Sequence, residues 1–115
     1  MIEKSLISSY DEKNDIFFGK FDEGKGFYAD YDISNGVFLS VGMDNKPNSI
    51  MISNASEVLN TSKKFLENAN VKINIDCDKI FLNFKLIIDD LNICSITCKN
   101  SYGIPKIQYR MDSSL

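Results

Sequence analysis

Alternation of apolar and polar residues is the feature that most constrains the fold of this chain, and it is clearest in residues 36–66. One strand is predicted where four apolar residues occupy alternate positions: Val37, Leu39, Val41 and Met43. The segment 44–48 is rich in turn formers and contains Pro47, which lacks an amide donor and is expected to lie outside a paired strand. Ile50 and Ile52 then resume the alternation and predict a second strand.

A helix is predicted to follow over about residues 54–67. Asn54, or Ser53 one residue earlier, is expected to cap its first turn, and Glu57 lies at capping-box spacing from Asn54. The apolar residues of this segment repeat at helical spacing: Ala55, Val58, Leu59, Phe65 and Leu66. This stripe indicates one amphipathic helix packed against a sheet.

The same alternation predicts further strands, at about 4–10, 15–21 and 26–32 before this segment, and at about 71–76, 79–88, 91–99 and 104–110 after it. The Asn35-Gly36 pair predicts a tight hairpin, because type I′ turns need positive φ. Pro105 predicts that the last strand lies at a sheet edge, and residues 111–115 are expected to fray. The sequence therefore predicts an α+β fold in one domain, residues 1–115: an antiparallel meander of about seven to eight strands with one helix packed on it.

Charge and residue usage exclude several functional classes. The net charge is −3, and the chain has no histidine. Its one arginine, Arg110, and the lack of a basic block argue against direct nucleic-acid binding. Without histidine, the Ser-His and Cys-His mechanisms and most zinc chemistry are excluded. We therefore expect a protein that is not an enzyme and has no cofactor.

Three cysteines bear on the cellular compartment. Cys77, Cys94 and Cys98 form no Cys-x-x-Cys pair, so the simplest expectation is buried, reduced thiols. A disulfide or a metal clip is the other reading. Residues 1–7 are too short and too charged for a signal peptide, and no apolar run approaches the ~18 residues of a membrane span. These features predict a cytoplasmic protein without a membrane association.

Aromatic residues crowd the N-terminal half, and alternation places large rings on both faces of the predicted sheet. One helix covers only one face, so either the C-terminal strands or a partner protein must cover the other. Phe17, Tyr28 and Phe38 are therefore candidate binding residues.

Carboxylates give a second set of candidates. Asp30 and Asp32 share a strand face at a separation of roughly 7 Å, and Asp44 lies in the turn that follows the next strand. This arrangement is compatible with a divalent cation and carboxylate-dependent hydrolysis. It is also compatible with a solvated acidic face and turn-forming aspartates.

Residues 9–66 carry a series of short motifs: Tyr10-Asp11, Asp15-Ile16-Phe17-Phe18, Asp44-Asn45-Lys46, Ser49-Ile50-Met51-Ile52 and Asn54-Ala55-Ser56. In these motifs the segment resembles the short prokaryotic proteins grouped as domain of unknown function twenty-two eighty-three. The chain differs from that family at Ser49 and Met51, where glycine and glutamate are usual, and at Pro47, where a turn glycine is usual. The resemblance implies a small intracellular binding partner, in some members encoded in toxin–antitoxin-like pairs, and leaves residues 71–110 as additional antiparallel strands.

The sequence thus predicts a non-catalytic protein-interaction module that binds a protein partner through an aromatic or acidic sheet surface or an edge strand, with homo-oligomers also expected through an edge strand. One alternative is an acidic inhibitor of a nucleic-acid-binding toxin or defence protein, antitoxin-like or phage-encoded and anti-CRISPR-like, whose carboxylates imitate phosphates. The other is the carboxylate-dependent metal hydrolase.

Overall fold

Ten strands in two five-stranded sheets make up the part of the chain described by this computed structural model, residues 1–23 and 26–114. The elements are β1 Ile2–Ser5, β2 Ile7–Asp11, β3 Ile16–Lys20, β4 Ala29–Ser34, β5 Val37–Val41, β6 Pro47–Ser53, α1 Ala55–Val58, α2 Lys63–Leu66, β7 Val71–Cys77, β8 Phe81–Ile88, β9 Leu91–Lys99 and β10 Ile107–Asp112. Sheet A has the order β1-β10-β7-β8-β9 and is mixed, because β1 and β10 run parallel. Sheet B has the order β2-β3-β6-β5-β4 and is antiparallel.

The core lies between the two sheets. Leu39 and Ile50 of sheet B and Ile73 and Leu86 of sheet A are fully buried, and the buried residues of both sheets belong to one cluster. The inner positions alternate with outer ones along the strands, as the period-two pattern predicts. The C-terminal strands therefore cover the inner face of the N-terminal sheet, which was one of the two expected possibilities.

The fold is mostly β, so the α+β prediction is wrong in its helical part, and the described chain has ten strands where seven or eight were predicted. The predicted antiparallel meander is also wrong, because β1 and β10 run parallel and the neighbours β1-β10, β10-β7 and β3-β6 are not consecutive in the chain. Part of the difference in strand number arises at Leu6. The predicted strand 4–10 is two strands, because the chain turns there from sheet A into sheet B. Leu6 is buried, and its N–H donates to the carbonyl of Asp112 at 3.0 Å, so β1 and β2 close one side of the sandwich as consecutive pieces of chain.

The predicted helix over 54–67 is wrong, because two four-residue helices occupy the segment. Asn60 adopts a left-handed φ of 51°, which asparagine tolerates, and Ser62 is extended and caps α2 by accepting the N–H of Phe65 at 3.1 Å. Asn54 lies at the N-cap of α1 but makes no capping hydrogen bond with its side chain. In the described chain no helix is long and apolar enough to cross a membrane.

The last strand also differs from prediction. Pro105 precedes β10, which lies inside sheet A between β1 and β7 and is not an edge strand. Met111 is fully buried and Ser113 donates its N–H to the carbonyl of Val71 at 2.9 Å, so fraying is not seen at these two residues, and Leu115 lies outside the described residues. The missing amide of Pro105 has no effect on strand pairing because the chain enters the sheet two residues later.

The predicted hairpin between β4 and β5 is confirmed, but its turn is not type I′, because only Gly36 of the pair has a positive φ, 82°. The turn between β8 and β9 has the type I′ signature instead. Asp89 and Asp90 take φ values of 50° and 66°. Aspartate tolerates this region, so a turn without glycine is possible there.

Gly36→Ala is expected to lower the free energy of unfolding by about 2–3 kcal/mol. A Cβ at this position would lie 3.0 Å from Val58 Cγ2 and 3.1 Å from the carbonyl oxygen of Ser53, in addition to the penalty for positive φ. Urea denaturation followed by circular dichroism measures the change.

Gly103→Ala is the matched control, because φ is 70° there and the nearest atom to the added Cβ is the Asn45 amide nitrogen at 3.9 Å. It should cost only the backbone term, about 1 kcal/mol. Equal losses for the two variants would show that the packing of α1 on the hairpin does not constrain Gly36.

Candidate interaction surface

An apolar row crosses the outer face of sheet B. Phe18 of β3, Met51 of β6 and Phe38 of β5 are paired in register across neighbouring strands. Phe18 is 39% exposed, Met51 is 37% exposed and Phe38 is half-buried. We call these three residues the apolar row. Their alternation with the buried residues of the same strands places them on the outer face.

The central cross-strand row on the corresponding face of sheet A is polar. The cross-strand row there consists of Glu3, Arg110, Asn74, Lys85 and Ser95. Arg110 donates to the carboxylate of Asp76 at 3.0 Å on the same face. The two cross-strand rows are therefore chemically different: the row on sheet B is apolar, whereas on sheet A the side chain of Phe81, 46% exposed, lies apart from a polar row.

The predicted carboxylates Asp30 and Asp32 extend the apolar row to the sheet edge. Asp32 is the cross-strand neighbour of Phe38, and Asp30 is that of Ser40, whose hydroxyl donates to the Asp30 carboxylate. Both aspartates are exposed. The structure thus brings Phe38, Asp30 and Asp32 together as an apolar surface with an acidic border.

The other predicted site residues lie elsewhere. Phe17 is 1% exposed and belongs to the core, so it is not part of the exposed outer face of sheet B. Tyr28 is 56% exposed just before β4, and its N–H donates to the carbonyl of Val41 at 2.9 Å. Asp44 is exposed and accepts the N–H of Lys46 at 3.1 Å, which is the geometry of an aspartate that shapes its own turn.

The three aspartates do not form a metal centre. Within residues 1–23 and 26–114 there is no group of three or more cysteine, aspartate or glutamate side chains that could hold a metal ion. Asp30 and Asp32 lie on β4, whereas Asp44 accepts a hydrogen bond within its turn.

A cluster that the sequence did not predict joins the two sheets beside β4. The rings of Tyr31 and Tyr102 stack with their centroids 4.2 Å apart. Asn45 accepts the Tyr31 hydroxyl at 2.5 Å and donates its amide to the carbonyls of Tyr102 and Gly103 at 3.0 and 2.9 Å. The Tyr102 hydroxyl donates to the carbonyl of Asp32 at 2.7 Å. We call Tyr31, Asn45 and Tyr102 the tyrosine clasp.

Burial raises the pKa of both clasp tyrosines, Tyr31 and Tyr102, so the hydroxyls remain protonated donors. Sequence reasoning missed the clasp because its parts are far apart in the chain and only the pairing of the sheets brings them together. The apolar row was also missed in part. Phe38 was a candidate binding residue, but Phe18 and Met51 were not, because alternation separates the two faces of a strand without showing which one is buried.

A second polar cluster attaches α1 to the hairpin of β2 and β3. The Asp15 carboxylate accepts the Tyr10 hydroxyl at 2.6 Å, the Ser56 N–H at 3.0 Å and the Ser56 hydroxyl at 2.6 Å. The Asp15 carbonyl accepts the N–H of Ala55 at 2.9 Å. Asp15 therefore supplies the cap that Asn54 does not, and Asp15 itself has a left-handed φ of 54°.

Titration within this cluster follows from its hydrogen bonds. Burial raises the pKa of Asp15, but the hydrogen bonds from Ser56 and Tyr10 outweigh it, and the net pKa is lowered. The pKa of Tyr10 is raised, first by burial and then by its bond to the Asp15 carboxylate. The pair therefore holds one negative charge on Asp15 over the whole neutral range, and it acts as a fixed structural bond.

A cleft of about 460 Å³ lies beside this cluster, between β2 and the segment that follows α2. Its wall includes Tyr10, Phe17 and Leu66, and Glu12 and Glu67 also line it. The pKa of Glu67 is raised by a hydrogen bond to Glu12 and by the negative charge of that residue. The cleft contains carboxylates and hydroxyls but no thiol among its lining residues.

The three cysteines are free thiols, as expected, but only Cys77 is buried, and Cys94 and Cys98 are half-buried where burial was expected. Burial raises the pKa of Cys77 to about 12, and it also raises those of Cys94 and Cys98. A thiol with a raised pKa is a poor nucleophile and a poor metal ligand at neutral pH. These groups behave as small apolar side chains of β7 and β9.

Comparison of the chain with family models, curated proteins and solved structures finds no match. The resemblance of residues 9–66 to the uncharacterised prokaryotic family therefore stays a prediction.

Tyr10→Phe is expected to lower the free energy of unfolding at neutral pH by about 1–2 kcal/mol, because it removes a partly buried hydrogen bond to a carboxylate. Tyr28→Phe is the control and should be neutral, since Tyr28 is exposed and its hydroxyl has no partner in the described chain. Chemical denaturation at pH 7 measures both changes. A neutral Tyr10→Phe would mean that the bond to Asp15 does not stabilise the fold.

The stabilisation from Asp15 should also depend on pH. Its pKa is lower in the folded protein than the ordinary value, so the stabilisation is complete above about pH 4 and is lost as the pH falls through the folded pKa. The difference in unfolding free energy between wild type and Tyr10→Phe should therefore shrink below about pH 4. A difference that stays constant down to about pH 2.5 would contradict the assignment of part of this shift to Tyr10.

Proposed function

We propose that this protein is a small, intracellular, non-catalytic module that binds another protein through the apolar row and its acidic border. The apolar row itself is the observation that supports this most directly. Phe18, Met51 and Phe38 are adjacent on an outer sheet face, where side chains are exposed to water unless something covers them. Large apolar and aromatic side chains, methionine included, are enriched at the centre of protein interfaces.

The chemistry of the surface also specifies its partner. Asp30 and Asp32 lie beside Phe38 at the exposed edge of sheet B. A complementary protein would present an apolar residue to the row and lysine or arginine side chains to the two carboxylates. Apolar contacts then contribute most of the affinity, and the rim charges accelerate association and select the orientation.

The free cysteines fit an intracellular setting. A reducing compartment keeps thiols such as Cys77, Cys94 and Cys98 unpaired, and an oxidising one favours disulfides. The family that residues 9–66 resemble also consists of small intracellular proteins.

Met51→Lys is expected to weaken partner capture at least about tenfold, because it places a charge at the centre of the apolar row. Capture by the tagged protein from lysate of the native host, followed by quantitative mass spectrometry, measures the change. Asn83→Lys is the matched control, since Asn83 is exposed on the outer face of sheet A. A partner that is lost equally with both variants, or with neither, would contradict the assignment to this face.

A second candidate function is an acidic inhibitor of a nucleic-acid-binding toxin or defence protein, antitoxin-like or phage-encoded. The observation that favours it is the exposure of Asp30 and Asp32 on the same face of an edge strand, where their charges are accessible to a basic groove. The two functions differ in their dependence on salt. An acidic mimic loses its partner between low and high salt and on Asp30→Asn with Asp32→Asn, whereas binding through the apolar row survives both changes.

A further inference from the structure

The two sheets have four edge strands, β1 and β9 in sheet A and β2 and β4 in sheet B. β1 and β2 are four and five residues long and are joined through the buried Leu6, so neither presents a long open edge. β4 and β9 contact each other on the opposite side of the sandwich. An edge strand carries unpaired backbone groups that another strand can bind, and proteins normally protect such edges.

β4 is protected in two ways. The N–H of Ser53 donates to the carbonyl of Gly36 at 2.9 Å, which fixes which residues of β5 bond to β6 and which bond to β4. Because the direction of the backbone groups alternates along each strand, the N–H and C=O groups of Asp30 and Asp32 in β4 point to the open edge. The Asp32 carbonyl is already occupied by the Tyr102 hydroxyl at 2.7 Å. The two carboxylates would also face like charges if β4 paired with a second β4.

β9 has no such protection along most of its length. Asn100 donates its N–H to the carbonyl of Ile80 at 2.8 Å, and from this pair every second residue of β9 bonds to β8. The residues between them, Ser95, Thr97 and Lys99, therefore direct their N–H and C=O groups away from β8. In the described chain no backbone hydrogen bond joins these groups to another element. The strand is nine residues long, and Lys99 is its only charge.

The pattern of β9 is also complementary to itself. If two copies of β9 pair antiparallel about a two-fold axis at Thr97, the outward groups of Ser95 meet those of Lys99 of the second copy, and Thr97 meets its own equivalent. Every outward group of these three residues is then bonded. The two Lys99 side chains lie about 13 Å apart along the strands, beyond the distance at which surface charges repel strongly in physiological salt.

From these observations we infer that β9 is a dimerisation strand, which pairs antiparallel with β9 of a second copy of this chain and joins two A sheets into one continuous sheet. The occupant is a second copy because the two-fold register satisfies the backbone groups of both strands without opposing charges. This surface lies on sheet A and is independent of the interaction surface proposed on sheet B.

The test compares the mass in solution of wild type, Thr97→Pro and Thr97→Val by sedimentation equilibrium over a range of protein concentrations. Proline removes the outward N–H of residue 97 and leaves the bonds to β8, since that N–H does not point to β8, whereas valine keeps it. Wild type and Thr97→Val should be dimers, and Thr97→Pro should be a monomer. A monomeric wild type, a dimeric Thr97→Pro, or open assemblies larger than a dimer would each overturn the inference.

A second variant covers the case in which Thr97→Pro does not fold. Thr97→Lys leaves the backbone unchanged and opposes two lysines at the centre of the dimer, so it should dissociate the dimer into folded monomers. Asn83→Lys, on the adjacent strand and the same face, should remain dimeric. Dimerisation that survives Thr97→Lys would overturn the inference.

The register has its own test. Thr97→Cys should form a covalent dimer under mild oxidation, because residues at such a pair lie about 5.5 Å apart between Cα atoms, within the range of a disulfide. Asn83→Cys and wild type, with its half-buried Cys94 and Cys98, should not. Cross-linking of Asn83→Cys with no cross-linking of Thr97→Cys would overturn the register.

Discussion

Burial of two apolar sheet faces against each other is the interaction on which the rest of this structure depends. The inner residues of β5 and β6 and those of β7 and β8 form one cluster from which water is excluded. Because side chains alternate along each strand, fixing the inner faces also fixes the outer ones. Phe18 and Met51 are exposed and Phe38 is half-buried on the outer face for this reason, since the other face of each of their strands packs into the core.

The same two-layer arrangement decides which edges remain open. The turn of the chain at Leu6 closes one side, and the tyrosine clasp closes part of the other by fixing the loop after β9 against β4. What remains available is an outer face of sheet B with an acidic border and the free edge of β9. The two surfaces differ in chemistry. The outer face of sheet B offers apolar side chains and charge, and the edge of β9 offers backbone hydrogen bonds.

Elements that depend on local patterns could be predicted from the sequence. Features that depend on contacts between distant parts of the chain could not. The strands between Val37 and Lys99 and the hairpin at Gly36 follow from alternation and turn chemistry. Pro47 is an exception, because it was expected outside a paired strand and instead begins β6, where it pairs with Val41.

The single helix was wrong because Asn60 and Ser62 each prefer a non-helical conformation, and the apolar stripe is satisfied by two short turns as well as by one helix. The apolar spacing of a segment fixes which residues face the core and does not fix whether its backbone is continuous.

The candidate surface shows the same division. Asp30, Asp32 and Phe38 could be predicted because they lie on adjacent strands of one hairpin. Phe17 was misplaced because alternation identifies two faces and does not say which one is buried. The tyrosine clasp had no local signal, since Asn45 and Tyr102 meet only after both sheets have assembled.

Hydroxyl-radical footprinting of the protein in buffer and in lysate of its native host shows whether a partner covers the apolar row. Oxidation of Phe18 and Met51 should decrease in the lysate, while that of Phe81, exposed on the outer face of sheet A, should be unchanged. Shielding of Phe81 with unchanged oxidation of Phe18 and Met51 would contradict the claim that the apolar row is the binding surface.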